Sequence, residues 1–464
     1  MTNWTPDLDQ RHGPRYVAIA DALAADVAGG RLKPGDRLPT HRDLGWRLGV
    51  TVGTVSRAYA EAERRGLISG EVGRGTFVRG SAPLDSHMMP LEAEAANEPI
   101  NLSFAFPPTG DEAHYLGDSL EALARDPQSV RLLDYQSHAG SPAHRAVGAE
   151  WLARSGIAVG ADQVVLTAGA QHGIAVCLAA NTRPGDRILA ERLTYSGLQS
   201  VARVMGLKIE GLASDDEGLR PDGFAAACRA GDYKALYCVP TLQNPTTTIM
   251  PEARRREIAA IAQEHGVVII EDDIFSLLID QRPPPLWHFA PERTFALTSL
   301  SKTVSPGLRV GYAAGPAAAT ARLSAAVRAT CWMSAPLTCE IASRWIRDGT
   351  ADRILETRQH AAATRRAVAL DILGPWDVAC PPGSIFLWLR LPEPWRSADF
   401  ALEAQRRGVA LTPVQASTVS RDFEPHAVRV CLGAAKTNEQ LAQGLTVLAE
   451  LLDAGVTDSF STVV

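Results

Sequence analysis

Five short apolar runs, each followed by a turn and a helical stretch, constrain the fold of this chain more than any other feature. They are Val164-Val165-Leu166, Arg187-Ile188-Leu189-Ala190, Ala235-Leu236-Tyr237, Val267-Val268-Ile269-Ile270 and Phe295-Ala296-Leu297. Runs of three to five residues without polar alternation do not suit a sheet with one wet face; spaced by helices, they predict a mostly parallel sheet in an α/β domain. Open sheets of this kind bind ligands beyond the carboxyl ends of their strands, so the residues after each run are the candidates for chemistry.

The first 80 residues follow a different rhythm. Ile19, Leu23 and Val27 form one apolar stripe that stops at Gly29-Gly30. After the turn at Pro34-Gly35, Thr40-His41-Arg42-Asp43 has the spacing of a capping box and opens a short helix that ends near Leu48-Gly49. Thr51 then caps a second helix, Val52 to Arg65, whose inward stripe is Val55, Tyr59 and Ala62. Two short strands flank Gly73-Arg74-Gly75. Helix, turn, helix and hairpin predict a winged helix-turn-helix over residues 13–80. No apolar period of either kind persists over 81–98, which reads as a linker to a body over 99–456.

With 464 residues, 46% of them apolar and 21% charged, the chain has the composition of a multidomain globular protein, not of a disordered or collagen-like one. No stretch of about 18 apolar residues occurs and the N-terminus lacks a basic segment followed by an apolar one, so a cytoplasmic protein without membrane contact is expected. The seven cysteines are scattered with no CxxC pair, and no histidine has ligand spacing, so neither a disulfide framework nor a metal site is expected. Net charge is −6, divided as +3 over residues 1–80 and −9 over the remainder, an asymmetry compatible with a basic reader on an acidic body. Only five of the 46 basic residues are lysines. A lysine retained in such a chain points to a need for a reactive amine, which a guanidinium does not supply.

One of those lysines stands in a telling place. Thr298-Ser299-Leu300-Ser301-Lys302 follows the Phe295 run, and Arg309 follows seven residues later. Hydroxyls, a lysine and an arginine in one loop suit a phosphate ester beside an aldehyde that the amine captures as a Schiff base. Thr167-Ala168-Gly169-Ala170-Gln171, leading into a helix, suits an anion held by backbone N–H groups. Glu271-Asp272-Asp273 places acids after the Val267 run, where they meet a ligand cation or, equally, cap the next helix. Together these parts describe a site for pyridoxal 5'-phosphate.

With these motifs the chain resembles the fold-type I aminotransferases and, with the winged helix attached, the MocR branch of the GntR regulators. The resemblance spans residues 13–80 and about 100–450. It implies an N-terminal winged helix-turn-helix joined to an aminotransferase-like domain with a smaller C-terminal α+β subdomain, assembled as a homodimer. It also implies Lys302 as the lysine bonded to the cofactor, Asp272 as the partner of the pyridine nitrogen, Asn244 on the ring hydroxyl and Tyr195 stacked on the ring. Ala170, Gln171, Ser299, Ser301 and Arg309 match the phosphate shell, Tyr135 the tyrosine sent to the neighbouring subunit's phosphate, and Arg429 the arginine for a substrate carboxylate. The chain departs from the pattern at Phe275 and Ile274, where related proteins place a tyrosine, and at Ala170, where a serine is common. Double-stranded DNA is the expected partner of the front domain, through Arg42, Thr51, Thr54, Arg57, Arg74 and Thr76. The expected function is a transcriptional regulator that senses a small amine or amino acid. The alternative is an aminotransferase with an accessory winged helix.

Overall fold

The computed structural model of the chain describes residues 4–6, 14–28, 31–32, 36–64, 67–71, 75–78, 99–107, 110, 112–420, 423 and 425–459. The turn at Pro34-Gly35, Arg74 and the linker expected over 81–98 lie outside the described residues. Contacts divide the chain into two units, residues 1–90 and 91–464.

In the first unit three helices, α1 (Arg15–Ala28), α2 (His41–Leu48) and α3 (Val52–Arg64), precede a hairpin of β1 (Ile68–Glu71) and β2 (Gly75–Val78), with Ile68 opposite Val78. Ile19, Leu23, Leu44, Val55, Tyr59 and Ala62 form its buried core. Gly49, at φ 62°, ends α2 in the left-handed region, and Gly45 lets the turn close, since a Cβ there would stand 3.0 Å from the Val50 carbonyl oxygen. The expected capping box at Thr40 is only half made. The Thr40 hydroxyl accepts from the Asp43 N–H at 3.2 Å, but the Asp43 carboxylate turns along the helix to Arg47, 2.8 Å away. The i,i+4 ion pair wins over the return bond to the cap.

The second unit is built on a seven-stranded sheet. After β3 (Ile100–Asn101), helices α4 (Glu112–Arg125) and α5 (Pro142–Arg154) lead to β4 (Val164–Thr167), α6 (Ala170–Asn181), β5 (Arg187–Glu191), α7 (Ser196–Val204) and β6 (Lys208–Leu212). A small hairpin, β7 (Ser214–Asp215) and β8 (Gly218–Leu219), is followed by α8 (Pro221–Ala230), β9 (Ala235–Cys238), α9 (Glu252–His265), β10 (Val268–Asp272), α10 (Leu286–Phe289), β11 (Thr294–Ser299) and β12 (Gly311–Ala314). The strand order is β4-β12-β11-β10-β9-β5-β6, parallel except for β12, which runs antiparallel to both neighbours. All five apolar runs are strands of this sheet. The two strands without such a run have physical reasons: β12 reads Gly-Tyr-Ala-Ala, and edge strand β6 exposes alternate residues.

Helices α11 (Thr320–Cys331) and α12 (Pro336–Arg347) lead to the 24-residue α13 (Thr350–Leu373), which runs into a smaller α+β part. There β13 (Val378–Ala379), β14 (Phe386–Arg390) and β16 (Ala427–Cys431) form an antiparallel sheet, packed by α14 (Ser397–Arg406) and α15 (Asn438–Ser459). The short β15 (Val409–Ala410) pairs with β3, tying the first strand after the linker to this part. Side chains such as Trp395, Leu387 and Phe400 are sealed there, each worth about 1.5–3 kcal/mol or more relative to exposure. Among the described residues no helix is long and apolar enough to cross a membrane.

Candidate cofactor and effector site

Two acids close β10 and a third, Asp273, follows it, and the alternation of side chains along a strand sends Glu271 and Asp272 to different tasks. Asp272 faces Tyr237 on the adjacent strand and accepts its hydroxyl proton at 2.6 Å through Oδ2. Its Oδ1 is buried with no hydrogen-bond partner among the described residues. Burial pushes the Asp272 carboxyl up to about 7. Glu271 points away and caps α10, accepting from the N–H groups of Leu286 (2.8 Å) and Trp287 (2.9 Å). Asp273 takes the Ser276 hydroxyl. The acid cluster read from the sequence is thus one carboxylate with an unpartnered buried oxygen between two that serve the fold.

The loop after β11 carries the lysine. Lys302 Nζ donates to the Ala105 carbonyl at 2.6 Å, and burial lowers its pKa to about 8, with Arg429 and Arg309 pushing the same way. Around the turn, Arg309 (φ 51°) donates to the Ala168 carbonyl at 3.0 Å and lies 3.4 Å from Ser301 Oγ. Ser299 Oγ lies 2.8 Å from Ser301 Oγ. Gly169, at φ 86°, caps α6, and a Cβ there would stand 2.5 Å from the Arg309 guanidinium. The first N–H groups of α6, from Ala170 and Gln171, have no partner within the helix. Two hydroxyls, a guanidinium and a helix N-terminus around a glycine form a seat for an anion.

Arg429, on β16, joins the small part to this floor. It donates to Asn244 Oδ1 at 2.6 Å and to the Ser103 carbonyl at 2.7 Å, while its Nε is buried without a partner among the described residues. One strap, Ser103 to Ala105, therefore holds both Arg429 and Lys302 through backbone carbonyls. The strap continues into Phe106, which runs close over Gly433, where any Cβ would collide with the Phe106 carbonyl. Half-buried Tyr195 stands at the N-terminus of α7, and its ring and the Gln171 side chain crowd around Gly197, which has no side chain to oppose them. Gln171 Nε2 donates to the Gly197 carbonyl at 2.9 Å.

The structure gathers Lys302, Ser299, Ser301, Arg309, Ala170 and Gln171 around one end of the sheet, with Asp272 at the end of β10 and Asn244 bonded to Arg429. It does not bring Tyr135 to them: that residue is 83% exposed and edge-on to Trp332, ring centroids 6.0 Å apart. Phe275 is buried against Phe386, and Ile274 packs against the core, so neither offers a hydroxyl. In the first unit Arg42, Thr51 and Arg57 are exposed, and Thr54 and Thr76 are half-buried. Thr51 Oγ1 is engaged as the cap of α3, accepting from Thr54 N at 3.2 Å, and the Arg57 guanidinium stacks 4.3 Å over the Tyr16 ring.

Tyr237 was not singled out by sequence reasoning, nor were the carbonyls of Ser103 and Ala105 or the carboxyl of Glu191. A hydroxyl or acid closing an apolar run is the available signal for Tyr237 and Glu191; backbone carbonyls leave none. Glu191 ends β5 fully buried, with Oε2 unpartnered among the described residues, and burial pushes it up to about 8.

These features fit pyridoxal phosphate. A bare buried carboxylate oxygen asks for a cationic N–H, the anion seat for a phosphate, and an amine near 8 for a carbonyl carbon. Asp272, Lys302 and the residues of the seat would hold the group, which when bound supplies an aldehyde for amines and a ring that withdraws electrons from them.

A winged helix-turn-helix joined to a fold-type I aminotransferase body defines the class. The chain belongs to the aminotransferase class I and II family, whose profile matches residues 97–448; residues 15–78 match the bacterial regulatory proteins of the gntR family. It is 31% identical over 97% of both chains to an uncharacterized HTH-type transcriptional regulator, YdeF, of Bacillus subtilis (strain 168). It is 29% identical to the HTH-type pyridoxine biosynthesis transcriptional regulator PdxR of Corynebacterium glutamicum, covering 78% of this chain and 80% of that one. Among solved structures, the kynurenine aminotransferase of Pyrococcus horikoshii, in complex with PMP, superposes with a TM-score of 0.72 at 22% identity, covering 78% of this chain and 92% of that chain. The last likeness concerns the fold. The fold implies dependence on pyridoxal phosphate, and the gntR domain implies DNA binding.

Proposed function

We propose that this chain is a pyridoxal phosphate-dependent, DNA-binding transcriptional regulator whose body senses a small amine or amino acid. The observation that carries this reading is the strap. Lys302 and Arg429, the two groups that an amino acid would engage, are both bonded to the carbonyls of Ser103 and Ala105. That segment begins only a few residues after the proposed linker. A ligand that takes the amine or the guanidinium competes with the strap for it, so occupancy biases the position of the first residues after the linker. Arg429 favours a ligand carboxylate.

DNA is read by α2 and α3 of the first unit. Arg42, Thr51, Thr54 and Arg57, with Arg74 and Thr76 of the wing, are the proposed contacts. The protein works as a homodimer. Exposed apolar side chains at Leu116, Leu120, Val130, Leu133, Trp332 and Leu337 support a covering second copy, and Tyr135, among them, is proposed to reach the phosphate of that copy.

The test is binding of the cofactor-loaded protein to DNA upstream of its own gene, against scrambled DNA, at two salt concentrations. A preference of about a thousandfold for the upstream DNA is expected, lowered about tenfold or more by Arg57→Ala. Equal, weak, salt-sensitive binding to both DNAs, together with sustained keto-acid formation from an amino acid, would overturn this reading in favour of an aminotransferase.

A further inference from the structure

A second cavity, of about 750 Å³, lies on the seam between the two parts of the body. The large-sheet part contributes the residues that follow β5 and β6, the hairpin of β7 and β8 and the turn 243–249; the small part contributes residues 379–381, two side chains of β14, Phe423 and Pro425. Lys302, Asp272, Asn244, Tyr195 and Arg429 do not line it. Its size is that of a small-molecule site.

The charges around it are unequally matched. Arg390 is neutralised by Asp216 (2.9 Å) and Asp377 (3.0 Å), and Asp215 by Arg254. Arg192 has no carboxylate partner among the described residues; its guanidinium stacks 4.8 Å over the Phe423 ring. The walls near it are the Trp388 indole, Ile249 and Leu193. A cation that no described carboxylate matches, beside aromatic and branched surfaces, favours a ligand with one oxyanion and a flat apolar body. A single guanidinium matches the charge of a monocarboxylate better than that of a dianion such as a phosphate ester.

The cavity wall is also mechanically joined to the first site. The Leu193 carbonyl accepts from Gln243 Nε2 at 2.7 Å, and Gln243 Oε1 accepts from Thr246 N (2.9 Å) and Oγ1 (2.7 Å), which fixes the turn carrying Asn244. Leu193 is two residues before Tyr195, and Trp388 sits directly opposite Arg429 across β14 and β16.

We propose that this seam cavity is a second ligand site, for an aromatic monocarboxylate anchored on Arg192, and that its occupant tightens the seam on which Asn244 and Arg429 meet. The site stands on the cavity alone and does not depend on the cofactor reading. The probe is 2-naphthoate, titrated by calorimetry into the full-length protein with and without pyridoxal phosphate, with 2-naphthamide and inorganic phosphate as controls. Saturable binding of one 2-naphthoate per chain is expected in both preparations, with neither control competing. Arg192→Gln should weaken it about tenfold or more, while Arg429→Gln, which loosens the seam without removing a lining side chain, should weaken it less. Ser214→Trp, on the exposed rim, should block the cavity without touching the core, as checked by an unchanged melting temperature. Absence of saturation up to about 10 mM, binding that survives Ser214→Trp, or loss in Arg429→Gln with retention in Arg192→Gln would each overturn the proposal.

Discussion

The two regions of this molecule place their functional side chains in opposite ways. In the first unit they lie between Arg42 and Thr76, on neighbouring short elements, and their described contacts are local: Thr51 caps its own helix, and Arg57 rests on a ring from α1. In the body the corresponding set runs from Ser103 to Arg429, and its bonds join residues up to 326 positions apart. The first arrangement tolerates loss of one contact, because the contacts of Thr51 and Arg57 do not depend on one another. The second is a circuit in which the strap is bonded to the lysine loop and to β16, and β16 to the turn at Asn244, so that moving one of them disturbs the others.

Changes in the circuit should therefore produce the larger effects. Lys302→Ala is expected to abolish the visible absorption band of the bound cofactor while the far-ultraviolet circular dichroism stays that of the wild type. An unchanged band in that variant would remove the cofactor assignment.

A smaller, pH-dependent effect is expected at Glu191. Its folded pKa of about 8 stands above its ordinary 4.5, so the folded chain keeps a proton that the unfolded chain releases. Stability from this group is fully present below about pH 4.5 and is lost as pH rises through 8. Glu191→Gln in the cofactor-free protein should gain on the wild type steadily between pH 5 and about pH 8, read as the difference in urea midpoints. A constant difference across that range would show that Glu191 is not held protonated.

The smallest effect belongs to the first unit. Thr51→Ala should lower its stability by about 1 kcal/mol, the usual loss for a helix cap, and leave the cofactor spectrum of the body untouched. A spectral change in that variant would mean that the cofactor site of the body depends on the first unit.

Legibility in the sequence divides along the same line. Caps, glycine stops and apolar stripes are local, so α1 to α3 and five of the seven strands of the large sheet could be read from residue order. The loop at Lys302 and the glycine turn at Gly169 were legible because each is a contiguous motif placed after an apolar run. The division of labour among Glu271, Asp272 and Asp273 was not, since it depends on which face of β10 meets Tyr237 and which meets α10. Nor were β12 and β6, whose side chains are too small or too evenly polar to mark a strand. The grip of the strap on Lys302 and Arg429 uses peptide carbonyls, which every residue possesses and no sequence pattern announces.

Gly433 carries a consequence for inheritance. The strap lies where it does because one atom is missing opposite Phe106. Every single-base change in a glycine codon that alters the residue and leaves the chain intact adds at least a methyl group. From this position no first mutational step leaves the strap undisturbed, and because both carbonyls travel on it, Lys302 and Arg429 would be released together. The two grips thus pass from generation to generation as one trait, guarded by a residue that touches neither of them.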